Sequence, residues 1–266
     1  MLYLVAAAAL CLATWKMLQG GWRGQRGFQV IGFDLGGAAL GGLAVGLAVH
    51  FLGALYGIAF VVAVAVHEFG HVAAYRVCGH ADARFRLIPL MGGVTISNTA
   101  PASSDKALFI TLMGPAINLG PMALCLALAA ILSSAEFGST LPYQSGNYLY
   151  VQGMVFAGLN FFNLLPLWPL DGGKLTQRLV YSFAPGLTRQ ASLAMMVLAV
   201  ALCLMTRSWF LLFFVVMGWP GLVQSEAMLR VQHPLSNRQR LLALGAYLTT
   251  AAAFFSGAHP LLSGFL

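Results

Sequence analysis

Charged side chains are scarce in this chain: they make up 8% of its 266 residues, against roughly a quarter in a soluble domain of ordinary composition. The shortage excludes a well-solvated globular surface, and with 59% of residues hydrophobic it indicates a membrane protein. Cysteine is scarce too. Cys11, Cys78, Cys125 and Cys203 lie inside or at the end of apolar runs, far apart and without CxxC spacing, which argues against a disulfide framework or a thiolate metal site. Long polar stretches are also missing. The two longest, from about Gly79 to Lys106 and from about Ser133 to Leu149, are too short to fold alone. With no internal repeat or low-complexity tract, residues 1–266 read as a single membrane-embedded domain without a separate soluble one.

What is present is a series of apolar runs, at roughly 2–19, 33–51, 53–78, 107–133, 150–168, 190–206, 208–225 and 241–258, each near the roughly 20 residues that a helix needs to cross a bilayer. Backbone groups in lipid must pair within their own segment, so the expected fold is an all-α polytopic bundle of about six to eight transmembrane helices. The alternating short segments of a membrane β-barrel are lacking. In the first run the basic residue, Lys16, follows the apolar stretch instead of preceding it, so it is expected as a membrane helix and not a cleaved leader.

A formal charge of +7 would suit nucleic acid, but the basic residues are scattered through short connections, and membrane topology accounts for them. Connections after the first, third, fifth and seventh runs hold Lys16, Arg23 and Arg26; Arg76, Arg84, Arg86 and Lys106; Lys174, Arg178 and Arg189; and Arg230, Arg238 and Arg240. Only Arg207 falls on the other side. Both chain ends are therefore expected outside, and the third run is expected to pass from outside to inside.

That third run contains AVAVHEFGHVAAY. On a helix, His67 and His71 share one face and can hold one Zn²⁺, with Glu68 in reach of a metal-bound water. Ionisable side chains inside an apolar span are costly and mark function by default. A catalytic zinc site ordinarily has three protein ligands, so a third is required. Of the seven acidic residues, Asp34, Asp82, Asp105, Glu136 and Glu226 lie at run ends or in connections, where a solvated charge is the ordinary reading. Asp171 sits in NFFNLLPLWPLDGGKL, where Pro166 and Pro169 prevent a regular helix and Gly172 and Gly173 permit an irregular turn. Broken backbone at membrane depth needs protein or a water-filled cavity around it, which favours Asp171 as a ligand over a helix cap.

Together these motifs resemble the site-2 protease family of intramembrane zinc metalloproteases. Its marks are HExxH, met by His67-Glu68-Phe69-Gly70-His71; Gly-Pro-x-x-Asn, met by Gly114-Pro115-Ala116-Ile117-Asn118; and a later Asn-Pro-Asp-Gly string, met from Asn163 to Gly173. Trp168 stands where many members carry a further proline. The resemblance covers about residues 53–185 and implies a three-helix catalytic core. It implies His67, His71 and Asp171 as ligands of one Zn²⁺ per chain and Glu68 as catalytic base. The implied activity is hydrolysis of peptide bonds in single-span membrane protein substrates. Larger relatives carry a PDZ or CBS domain; this chain resembles a minimal member.

Asn118 and Asn163 are candidates for substrate or oxyanion contact, against helix-to-helix bonding; Asn160 reads as structural. The stretch Arg86 to Ile96 has strand-like residues around a Gly pair, expected as a short β-rich membrane-associated element or a re-entrant loop. The expected partners are a membrane-anchored substrate and the lipid bilayer, with no nucleic acid. The expected location is a bacterial or archaeal cell membrane, with the catalytic site toward the cytoplasm. A metal transporter or other non-proteolytic metal-binding membrane protein is the alternative.

Overall fold

The computed structural model describes residues 2–22, 35–88, 92–134 and 140–263. Arg23, Arg26, Asp34 and Glu136, and the 89–91 tip of the expected β-rich element, lie outside the described residues. The helices are α1 (Leu2–Met17), α2 (Leu35–Val77), α3 (Ser104–Ala116), α4 (Leu119–Ser134), α5 (Thr140–Asn163), α6 (Asp171–Phe183), α7 (Thr188–Met205), α8 (Trp209–Val231) and α9 (Asn237–Leu262). Among the described residues, four stretches are long and apolar enough to cross a membrane: Ala39–Val77, Ser104–Ser133, Pro185–Met205 and Asn237–Pro260. The protein is an all-α polytopic membrane protein with one small sheet. It divides into two compact units, one of Met1–Ala100, Met113–Phe161 and Thr250–Leu266, the other of Pro101–Leu112 and Phe162–Thr249.

In the first unit, the second and third apolar runs meet at Gly53, whose φ of 77° and ψ of 163° interrupt α2. That backbone region strongly disfavours a side chain, so glycine is required. The chain folds back on itself here: a Cβ on Gly57 would lie 2.7 Å from the Ala48 carbonyl and the Val49 Cα. After α2 comes an antiparallel hairpin of β1 (Arg84–Ile88) and β2 (Gly92–Ile96), in register from Arg84↔Ile96 to Ile88↔Gly92. The expected β-rich element is thus a strand pair.

The fourth apolar run, expected as one segment, is two helices. Pro115 has no N–H to donate, and the Asn118 N–H reaches only to the Pro115 carbonyl at 3.0 Å, so the rod tightens into a turn before α4 begins. α1 packs on α4 through a close approach of Cys11 to Gly120, where a Cβ would meet the Cys11 Sγ at 2.6 Å. All four cysteines are free thiols.

In the second unit, the charged connection between the fifth and sixth runs is not a loop, because it forms α6. Asp171, Leu175, Arg178, Leu179 and Ser182 repeat at helical spacing and are buried on one face. The polar members of the buried surface are bonded. Gln177 donates to Ser192 Oγ at 3.0 Å and accepts from Ser225 Oγ at 2.6 Å, while Arg178 donates to Gln232 Oε1 at 2.8 Å. The apolar core of this unit gathers Leu167, Trp168, Met196, Ala199, Cys203, Val215 and Leu222.

Candidate metal centre

The HEFGH segment lies in the second arm of α2, and the helical spacing brings its two imidazoles face to edge, with ring centroids 4.8 Å apart. Both rings are buried, and their Nε2 atoms stand 3.1 Å from each other. His67 Nδ1 is 2.8 Å from Asn160 Oδ1. An amide oxygen only accepts, so this bond puts the ring proton on Nδ1 and leaves the Nε2 lone pair of a neutral imidazole pointing toward His71. Asn160 is itself fixed, because its Nδ2 donates to the Phe156 carbonyl at 2.7 Å.

Glu68 is buried beside the pair. Thr95, on β2, donates from Oγ1 to Glu68 Oε2 at 2.7 Å, and the same hydroxyl is 3.2 Å from the Glu68 carbonyl. Gly93, two residues earlier and so on the same strand face, lies so near that a Cβ would sit 2.2 Å from Glu68 Cγ.

Two glycines of the sequence motifs owe their identity to helix crossing. A Cβ on Gly70 would meet the Met113 carbonyl oxygen at 2.3 Å, and one on Gly114 would meet His71 Cε1 and Nε2 at 2.2 Å. The Gly-Pro segment therefore passes directly against the metal-motif helix. Asn118, fully buried, donates from Nδ2 to the Ala63 carbonyl at 3.2 Å, one helical turn before His67. Gln152 does the same one turn further back, donating to the Ala59 carbonyl at 3.1 Å. Such bonds tie helices together where no water competes.

Asp171 is the first residue of α6 and is buried. Its Oδ2 accepts from Asn163 Nδ2 at 3.1 Å, and its own N–H points back to Asn163 Oδ1 at 3.4 Å. Its Oδ1 pairs with Lys174 Nζ at 3.0 Å. The preceding turn is pinned at both ends: Tyr247 donates to the Leu164 carbonyl at 2.7 Å and Trp168 Nε1 to the Gly218 carbonyl at 2.8 Å. Gly172 and Gly173, expected to permit an irregular turn, instead form the first turn of α6. Cβ atoms there would lie 2.2 Å from the Leu164 oxygen and 2.4 Å from the Leu167 oxygen, so the helix start is packed against the turn that feeds it.

Peptidase family M50, the site-2 protease family, matches the sequence over residues 55–146 and 127–206. The chain belongs to this family. No curated protein and no solved structure matches it. Family membership bears out the resemblance drawn from the three motifs, and it supports an integral membrane metalloprotease of the site-2 protease type.

The M50 motifs were legible in sequence, but Asn160 and Thr95 were not. Asn160 reads as structural from the sequence, and the bond it makes is to the first histidine of the motif. The available signal was an amide within an apolar run, the same cost argument that singled out His67. Thr95 carried no signal, because a threonine in a strand is ordinary.

Proposed function

We propose that this M50 protein is an intramembrane zinc metalloprotease that hydrolyses peptide bonds of membrane-anchored, single-span protein substrates. In this reading His67, His71 and Asp171 hold one Zn²⁺ and Glu68 is the catalytic base. The observation that carries it is the pairing of two buried imidazoles on one helix face with a buried carboxylate held beside them by Thr95, and Asp171 is the third ligand by its place in the family motif. The donor set fits the ion. Two nitrogens at about 2.0 Å from one tetrahedral zinc stand roughly 3.3 Å apart, and the two Nε2 atoms are at 3.1 Å.

When bound, the zinc lowers the pKa of a water and polarises the scissile carbonyl. Glu68 removes the proton from the attacking water and returns it to the leaving amine nitrogen. Asn160 keeps His67 in the tautomer with Nδ1 protonated, so that Nε2 is the donor. Asn163 orients the Asp171 carboxylate by the reciprocal bond between their side and main chains. Asn118 holds the second arm of α2 through Ala63. Asn118 and Asn163 are the amides that would contact a substrate carbonyl or developing oxyanion. A two-stranded hairpin such as β1–β2 suits an unwound substrate segment, which would add to its edge as a further strand. The basic connections support a catalytic side that faces the cytoplasm, in a bacterial or archaeal cell.

A metal transporter would also use buried histidines and an aspartate. It has no need of a carboxylate beside the first histidine, held by its own hydroxyl donor, as Glu68 is by Thr95. The deciding experiment is cleavage of a panel of single-span membrane substrates by purified wild type and Glu68→Gln, with zinc measured on both. Cleavage should fall by at least about 10²-fold while zinc content stays. Retained cleavage, or zinc lost with the carboxylate, would overturn the assignment.

A further inference from the structure

We propose that Thr95 is a positioning residue for Glu68, so that the β1–β2 hairpin sets the competence of the catalytic base as well as covering it. The inference rests on the reading of Glu68 as that base. It starts from alternation along β2: Gly93 and Thr95 share a strand face, and both meet Glu68. Gly93 supplies the room. With any side chain there, a Cβ would fall 2.2 Å from Glu68 Cγ and 2.7 Å from Cδ, displacing the carboxylate. Thr95 supplies the hold, with its hydroxyl 2.7 Å from Oε2.

The arrangement has a mechanical consequence. Glu68 is on a helix, and its side chain has three rotatable bonds that a helix alone does not fix. A carboxylate that must meet a water proton at hydrogen-bond distance loses rate when it wanders. A hydroxyl donor to one oxygen stops that motion and leaves the other oxygen for the water. The donor sits on the strand paired with β1, in the register Phe85↔Thr95. Any ligand that straightens or shifts the hairpin therefore moves the group that orients the base. Substrate occupancy and base geometry are coupled through one residue.

The test compares Thr95→Val, which keeps the β-branched shape and removes the donor, with Thr95→Ser, which keeps the donor, alongside wild type and Glu68→Gln. Thr95→Val should lower kcat by about 10–100-fold, the loss typical of a residue that orients a catalytic group, with KM and zinc content near wild type. Thr95→Ser should restore most of it. A second readout needs no turnover. In metal-free protein labelled with carboxyl-¹³C glutamate, the Glu68 infrared band is the difference between wild type and Glu68→Gln, and the chain contributes only two other glutamates, Glu136 and Glu226. That band should shift in Thr95→Val and not in Thr95→Ser. Equal kcat in wild type and Thr95→Val while Glu68→Gln is dead, or an unmoved band, overturns the role of Thr95. Cleavage that survives Glu68→Gln overturns Glu68 as the base instead, and the band still decides the Thr95 contact.

Discussion

Asn160 illustrates what a single side chain contributes to the proposed metal site. Its amide oxygen meets His67 Nδ1 at 2.8 Å, and the acceptor matters more than the amide. Asn160→Leu should weaken zinc binding by about 10–100-fold, as loss of a ligand's outer partner typically does, measured by competition with a chromogenic chelator. Asn160→Asp keeps an acceptor and should stay within a few-fold of wild type. Equal affinity in Asn160→Leu and wild type would show that the bond does not select the donor nitrogen. The same residue marks a limit of sequence reading. HExxH is legible because its partners are local on one helix, whereas Asn160 lies 93 positions from His67, and no spacing rule announces a contact made only by packing. Asp171, likewise remote in sequence, is singled out as a candidate because the prolines before it break the helical pattern.

At the scale of elements, glycines and one half-buried carboxylate decide how pieces meet. Gly53 has no neighbour within 4 Å of a would-be Cβ, so Gly53→Ala tests backbone strain without a clash. At φ 77° and ψ 163° the substitution should cost about 1–3 kcal/mol, read as a lower midpoint in detergent denaturation. Gly172→Ala is the opposite case: its Cβ would lie 2.2 Å from the Leu164 oxygen, and overpacking of that kind costs about 1–3 kcal/mol. It would displace the start of α6, and a denaturation midpoint equal to wild type would refute the packing account. At the foot of the hairpin, the Asn98 N–H 2.6 Å from Asp82 Oδ2 holds the Asp82 carboxyl below the usual carboxylate range. A depressed folded value stabilises the hairpin above the ordinary value of about 3.9 and loses that contribution as pH falls through the lower folded value. Hydrogen exchange over 96–99 should accelerate only in that acid window, and Asp82→Asn should remove the pH dependence. The hairpin itself was foreseeable from β-branched residues around a Gly pair. The reversal at Gly53 was visible only as a boundary between two apolar runs, because a glycine-rich helix and a glycine hinge have the same composition. The amphipathic α6 was hidden by its charges, which suited a cytoplasmic connection equally well.

For the whole molecule, the expected orientation in the membrane rests on the uneven distribution of basic residues between alternate connections and not on packing. The span Pro185–Met205 offers a clean test because its ends differ in predicted side. Gly186 lies between Arg178 and Arg189, in the set of connections rich in basic residues, while Thr206 adjoins Arg207, the single basic residue assigned to the other face. Both positions are exposed, and Gly186 has no atom within 4 Å of an added Cβ, so cysteine can be introduced at either without disturbing a neighbour. With the four native cysteines replaced, Thr206→Cys should react with a membrane-impermeant thiol reagent added outside intact cells, and Gly186→Cys should react only after the membrane is opened. About 20 helical residues cross the roughly 30 Å hydrocarbon core, so the two sites cannot report the same side if the span is crossed once. The reversed pattern would invert the membrane orientation and place the metal motif toward the outside. Equal reactivity at both sites in intact cells would mean that this stretch does not cross at all, and the positive-inside reading of the chain would have to be rebuilt from the remaining spans.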